Sequence, residues 1–171
     1  SNNFGKGAHT ALVTLGGTTV GMVNTCGELD HNGAARIARF VSVCDSFQIP
    51  VVTMINTEGV KPSGADEMAG AVRDMARLAH VYAEATTPKI AVVTGSAIGS
   101  AYVALANADV VYAWPGAVIS AMPVAAAVAF LEGEKITKDT TREQVQAQYC
   151  EGEGSAYRAA EGGFVQDIIT P

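Results

Sequence analysis

The chain has 171 residues, with 17 Asp and Glu against 11 Lys and Arg, a net charge of −6, 49% apolar residues and only 16% charged ones. That length suits one domain burying roughly 70% of its unfolded surface. The wealth of Ala, Val and Gly points to a packed α/β protein, not a disordered one. Few, scattered basic residues under a net negative charge argue against a nucleic-acid partner.

In chain order, Ala11 to Leu15 and Val20 to Asn24 are short apolar runs joined by Gly16-Gly17, which predicts a hairpin. A polar loop is expected from Cys26 to Asn32. Ile37, Phe40, Val41, Cys44 and Phe47 then recur at helical spacing, with Asp30 or Asn32 available as the cap. Pro50 ends that helix and opens the β-branched run Val51 to Ile55. After a loop from Asn56 to Ala65, Asp66 is expected to cap a second helix with Met68, Val72, Met75, Ala79 and Tyr82 on one stripe. Strand Ile90 to Thr94 runs into the small-residue helix that begins near Gly99 and reaches Ala106. Val110 to Ala113 and Val118 to Ala121 read as strands, and Pro123 suits the first turn of a helix to Leu131. Thr140 or Thr141 caps a helix over 142–149, Ser155 caps another ending at Gly162-Gly163, and Phe164 to Ile169 is the last strand. Strands alternating with helices predict a mostly parallel sheet with flanking helices, class α/β, in a single domain over residues 1–171.

The uncharged stretch from Val110 to Phe130 is broken at Trp114-Pro115-Gly116 and at Met122-Pro123, so a membrane span is not expected. Ser1 to Gly7 is short and polar, without a signal-peptide pattern. Cys26, Cys44 and Cys150 are far apart and form no CxxC or His/Cys cluster. The default expectation is therefore a cytoplasmic, reduced, metal-free protein.

Two strand-to-helix turns are candidates for chemistry. At Gly99, Ser100 and Ala101 a helix opens with unpaired N–H groups and its dipole facing outward, and small side chains let a ligand approach the backbone. Paired with an amide from Gly59-Val60, this turn would form a two-donor oxyanion hole built from main-chain atoms. The competing reading is that these small residues serve only tight helix–sheet packing.

Several stretches carry a more specific signal: LDHNGAARIARFVSVCDSF (29–47), IPVVTMINTEG (49–59), AHVYAEATTPK (79–89), AIGSAY (97–102), ADVVYAWP (108–115) and AYRAAEGGFV (156–165). In this order, over nearly the whole chain, they resemble the C-terminal half of the carboxyltransferase of biotin-dependent acyl-CoA carboxylases. The resemblance implies a crotonase-like fold, a spiral of β-β-α turns with two sheets and flanking helices. It also implies transfer of CO₂ between carboxybiotin and the α-carbon of an acyl-CoA, in the manner of acetyl- or propionyl-CoA carboxylase or of a related decarboxylase. The implied cofactor is biotin on a carrier protein, with a coenzyme A thioester as substrate. Implied partners are the biotin carboxyl carrier protein, an N-terminal carboxyltransferase half that holds coenzyme A, and further copies in a trimer or hexamer.

By the same resemblance, the amides of Ser100 and Ala101 match the pair that steadies the ureido oxygen, and Gly59 and Val60 match the other turn of that site. Gly99, Tyr102 and Val103 match substrate-binding positions, Val103 helping to choose the acyl chain. Biotin itself takes the α-proton in this family, so no general-base His or Glu is required. The sequence departs from the family pattern in four places, one of them the Pro-Val-Ala-Ala-Ala after Met122, where a Gly-rich run is more frequent. Ser100 stands where a second Gly is usual, Thr57-Glu58-Gly59-Val60 replaces Val-Pro-Gly-Phe, and Thr94-Gly95-Ser96 stand where an Arg or Lys commonly precedes the Ala-Tyr-Gly-Gly run.

Other readings compete. Ser96 and Ser100 invite a serine hydrolase, but that needs a later His and none follows His80. Glu58 as acid–base would make an enoyl-CoA hydratase or isomerase, and a half-length chain could be a non-catalytic assembly subunit. His9 and His31 are expected to be solvated, and His80 to be structural. Glu84 is expected at a helix end and Trp114 at the edge of a pocket.

Overall fold

The Gly16-Gly17 turn closes a hairpin in which β1 (Ala8–Leu15) pairs antiparallel with β2 (Thr18–Thr25), Ala8 opposite Thr25 and Leu15 opposite Thr18. This is seen in a computed structural model that describes residues 4–136 and 140–171. The expected loop after Cys26 instead contains a three-residue strand, β3 (Gly27–Leu29). Asp30 caps α1 (His31–Ser46), its carboxylate accepting the Gly33 N–H at 2.7 Å. Ala34, Ile37, Ala38, Val41 and Cys44 form the buried stripe of this helix.

β4 (Val51–Val60) continues through the segment expected as a loop. The expected second helix is two: α2 (Gly64–Ala69), capped by Ser63, and α3 (Ala71–Glu84), with Gly70 between them. Asp66 therefore does not cap this segment, and its carboxylate turns to the start of α1. Next come β5 (Lys89–Ile98), α4 (Gly99–Leu105), β6 (Val110–Ala113) and β7 (Val118–Ser120). They are followed by α5 (Val124–Leu131), a 3₁₀ turn at Gly133–Lys135, α6 (Arg142–Glu151), α7 (Ala156–Glu161) and β8 (Asp167–Ile168). Thr141 caps α6 in a reciprocal box with Gln144. The last strand is shorter than the run Phe164 to Ile169 suggested.

The sheet order is β1-β2-β4-β5-β6-β8, parallel except for the hairpin. β4 pairs with β2 through residues 51–54 and with β3 through residues 57–60. β5 likewise pairs with β6 through residues 90–93 and with β7 through residues 96–98. The two layers implied by the resemblance are thus one hydrogen-bonded ladder whose two central strands are shared. α1, α3 and α4 cover the sheet around a core of Val23, Leu29, Ile37, Val41, Ile55, Leu78, Tyr82, Val93 and Leu105. Tyr82 is fully buried and its hydroxyl meets Thr53 Oγ1 at 2.8 Å; burial pushes its pKa well up.

The AEATTPK stretch is a structural corner. Asp45 accepts the N–H groups of Thr86 (2.7 Å) and Thr87 (3.0 Å), Thr87 Oγ1 donates to Ile49 O, and the buried Lys89 ammonium donates to the carbonyls of Ala85 and Thr87. These bonds end α3 and aim β5. A second apolar cluster (Ala127, Val128, Val145, Tyr149) joins α5 to α6, and the Tyr149 hydroxyl meets Ser120 Oγ at 3.0 Å.

Candidate active site

The site grows from the level at which β4 and β5 change neighbours. The ladder register shifts there, between Ile55 and Thr57, so backbone groups that lose regular partners must find others. Side chains supply them. Asn56 Oδ1 accepts the Ser96 N–H at 3.0 Å, Thr94 Oγ1 donates to Ile55 O at 3.2 Å, and Thr25 Oγ1 accepts the Asn56 N–H at 3.1 Å. One residue further, buried Thr57 donates to Gly27 O at 2.9 Å and accepts the Gly59 N–H at 3.2 Å.

Gly27 lies opposite Thr57 and Glu28 opposite Gly59, so Glu58 is the extra residue of a bulge, and its side chain is exposed. Gly59 has φ +102°, a conformation that a side chain resists. A Cβ there would stand 3.5 Å from Ile98 O and 3.6 Å from Ile98 Cγ2, which seats the end of β4 against the residue that begins α4. The two turns singled out in the sequence thus lie close together, with Thr57 of β4 paired to Ala97 just before α4.

α4 has Ile98 at its N-cap and no side-chain cap, so the amides of its first turn lack intrahelical partners. Gly99 has φ +62°, and Ala121 O lies 3.4 Å from where its Cβ would be. Ala101 is fully buried and Ser100 is exposed. Tyr102 is buried, donates to Phe164 O at 3.2 Å, and has its phenol pKa raised by that burial. Val103 is 69% exposed, a large apolar side chain open to solvent.

A cavity of about 750 Å³ opens beside α4. Gly99, Ser100, Tyr102 and Val103 form one wall, Ile119, Ser120 and Ala121 a second, and Arg158 and Phe164 stand opposite. Gly59, Val60 and Ala101 are not among the residues that line it. Trp114 is not in it either, nor is Glu58. Arg158, Ser120 and Phe164 escaped the sequence reading. Arg158 pairs with Glu161 (2.9 Å) and Glu153 (3.5 Å), bonds that raise its pKa further, Glu161 first. Its one available signal was an acid three residues away at helical spacing, which marks any solvated helix face.

His31, expected to be solvated, is held. Its N–H donates to Asp66 Oδ2 at 2.9 Å and its ring Nδ1 lies 2.6 Å from Asp66 Oδ1. His80 pairs with Glu84 at 3.1 Å on the exposed end of α3, and His9 is exposed on β1. No described helix is long and apolar enough to cross a membrane.

Comparison with known proteins decides the family. Residues 1–171 match the carboxyl transferase domain. The chain belongs to this family. This carboxyl transferase domain is 37% identical over 179 residues to the mitochondrial propionyl-CoA carboxylase beta chain of Sus scrofa, covering 99% of the chain and 32% of the relative. It is 35% identical over 171 residues to the methylmalonyl-CoA decarboxylase subunit alpha of Veillonella parvula, covering 95% of the chain and 33% of that subunit. Among solved structures, it superposes on the transcarboxylase 12S hexamer with hydrolysed methylmalonyl-coenzyme A bound, with a TM-score of 0.87 at 34% identity, covering 97% of this chain and 34% of that one. The beta subunit of P. aeruginosa geranyl-CoA carboxylase shares the fold, with a TM-score of 0.84 at 22% identity. The fold is α/β and crotonase-like. The domain spans about a third of the length of the relatives it matches.

Proposed function

We propose that residues 1–171 are a single crotonase-like domain, the C-terminal, biotin-facing half of a carboxyltransferase that moves CO₂ between carboxybiotin and the α-carbon of an acyl-CoA. The observation that carries the reading is the closeness of Gly59 to Ile98, the end of β4 lying beside the uncapped first turn of α4, whose Gly99 and Ser100 line the cavity. Ser100 and Ala101 contribute amides from α4. On β4 the Gly59 N–H is taken by Thr57, and Lys61 donates to Leu29 O at 3.0 Å. With the Gly59 and Lys61 N–H groups both taken, Val60 is in this reading the donor that this turn offers. Such donors stabilise negative charge on an oxygen by roughly 3–4 kcal/mol each when preorganised in a dry site.

The cavity suits biotin. Val103, Ile119 and Phe164 offer apolar wall to its chain and ring, and Gly99, Ser100 and Ala121 leave room for a flat bicycle near the backbone. When bound, biotin supplies the carboxyl-carrying ureido group. Arg158, the one cation in the wall among the described residues, is occupied by two carboxylates. This cavity therefore offers coenzyme A phosphates no cation free of carboxylates among the described residues, and in this reading the N-terminal half holds coenzyme A. The acyl chain would be of the propionyl or methylmalonyl class, by similarity to the relatives named above. Further partners in this reading are the biotin carboxyl carrier protein and other copies in a trimer or hexamer, in the cytoplasm.

The test is decarboxylation of methylmalonyl-CoA in the presence of free biotin, followed as CO₂ and propionyl-CoA release. The expected result is biotin-dependent release that rises strongly when the N-terminal half of a relative is added. Hydration of crotonyl-CoA by the chain, abolished in Glu58→Gln, would overturn the reading in favour of a hydratase. Stimulation by the N-terminal half that persists after the α4 turn is blocked by Ser100→Leu would favour a purely assembling role.

A further inference from the structure

A second groove, of about 700 Å³, lies between α1 and α3 and shares no residue with the α4 cavity. Its wall carries Arg36, Arg39 and Arg77, with Phe4, Phe40 and Thr10 between them, and no carboxylate. Arg36 and Arg39 are three apart on α1 and so share a face, and Arg77 comes from α3, packed alongside. Three of the chain's 11 Lys and Arg thus meet in one concavity of a protein whose net charge is −6. Arg36 is held in place, its Nη1 donating to Ala8 O at 2.7 Å and its guanidinium 5.9 Å from the centre of the Phe4 ring. Arg39 and Arg77 are exposed and have no hydrogen-bond or ion-pair partner among the described residues.

Guanidinium groups gathered around one hollow repel each other, and an anion bound among them relieves that repulsion. The guanidinium fork matches phosphate oxygens two at a time. A single carboxylate engages one such fork, whereas two linked phosphates present enough oxygens for Arg39 and Arg77 together, beside the positive charge of Arg36. The aromatic rings and the volume suit something larger than an inorganic ion, within the range of small-ligand sites. We propose that this groove binds a ligand carrying linked phosphates, of nucleotide size. The proposal is independent of the carboxyltransferase reading, since none of its residues belongs to that site.

Calorimetric titration of the full 171-residue chain with inorganic pyrophosphate, ADP and adenosine tests it. Pyrophosphate and ADP are expected to bind and adenosine not to. Arg39→Gln and Arg77→Gln are each expected to weaken both phosphate ligands by about tenfold. Raising NaCl from about 50 to about 200 mM is expected to weaken binding severalfold. Both arginines are exposed, so circular dichroism of the variants should match the parent. Failure of both phosphate ligands to bind would overturn the proposal. So would unchanged affinity in the Arg39→Gln/Arg77→Gln double variant, or adenosine binding as tightly as ADP. A hexaglutamate peptide that outcompetes pyrophosphate would make the groove a protein-docking surface and overturn it too.

Discussion

Asn56 Oδ1 accepts the Ser96 N–H at 3.0 Å, at the level where β4 and β5 both leave one set of neighbours and take up another. This side chain replaces a missing rung of the ladder, and the strand segments beyond it carry Gly59 and Ile98 to each other. Asn56→Leu leaves the Ser96 amide without its acceptor. The expected loss is about 1–3 kcal/mol, read as a lowered urea midpoint. Gly95→Ala should do comparable damage, because its Cβ would stand 2.6 Å from Asn56 Oδ1. If both variants unfold at the parental midpoint, the rung is dispensable.

The Asp66 carboxylate binds His31 twice, at its N–H and its ring, and so acts as a second cap for α1 beside Asp30. Burial alone would raise the Asp66 pKa. The hydrogen bonds from His31, with the charges of His31 and Lys61, outweigh it and hold the carboxyl below its ordinary value. A depressed folded-state pKa contributes stability that is present above the unfolded value and lost as pH falls through the folded one. Asp66→Asn should therefore cost about 1 kcal/mol near neutral pH, the scale of a lost cap. The gap from the parent should close as pH drops below the ordinary carboxylate range. Urea midpoints across the acid limb measure this, and a gap independent of pH would show that the charge is irrelevant.

The strands and helices with strong periodicity were legible in the sequence: the hairpin at Gly16-Gly17, the α1 stripe under Asp30, and the alternation that produces a parallel sheet. What escaped has local causes. β3 is three residues long, too short for any period. The extension of β4 to Val60 contains Asn, Thr, Glu and Gly, which read as loop; it is strand because it pairs with the short β3, while Asn56 and Thr57 supply side-chain bonds where the ladder shifts. Gly70 splits a continuous helical pattern because it adopts φ +106°. At the site, Gly59 and the Gly99 turn were visible as small residues at strand ends, and the motif resemblance singled them out. The opposite wall was not visible, because Arg158 and Phe164 return to α4 from about 60 residues downstream through tertiary contacts alone.

Gly59→Ala and Gly99→Ala separate backbone geometry from packing. Neither Cβ would meet an atom closer than 3.4 Å, so any cost comes from the positive φ, about 1–2 kcal/mol each. Gly116→Ala, where a Cβ would meet nothing within 4 Å, serves as the control and should be near neutral. Equal midpoints for all three would mean that the two turns relax freely and do not preorganise donors.

Ser100 sits at the start of α4, exposed and in the cavity wall. If the cavity admits the biotin ring edge-on to that backbone, side-chain volume at this position sets how close the ring can come. Ser100→Gly removes the hydroxymethyl group, opens the approach and should raise biotin-dependent decarboxylation severalfold. The gain should fall chiefly on the apparent affinity for biotin, because the donors themselves are unchanged. Ser100→Leu should lower it by at least a hundredfold, the scale of losing one preorganised donor. Stability should move by less than about 1 kcal/mol in both, since the side chain is exposed and caps nothing. Glu58→Gln, on the bulge outside the cavity, should change turnover by no more than about twofold by the same test of role. A Ser100→Leu variant with parental turnover would remove the α4 turn from the chemistry and leave its small residues as packing alone.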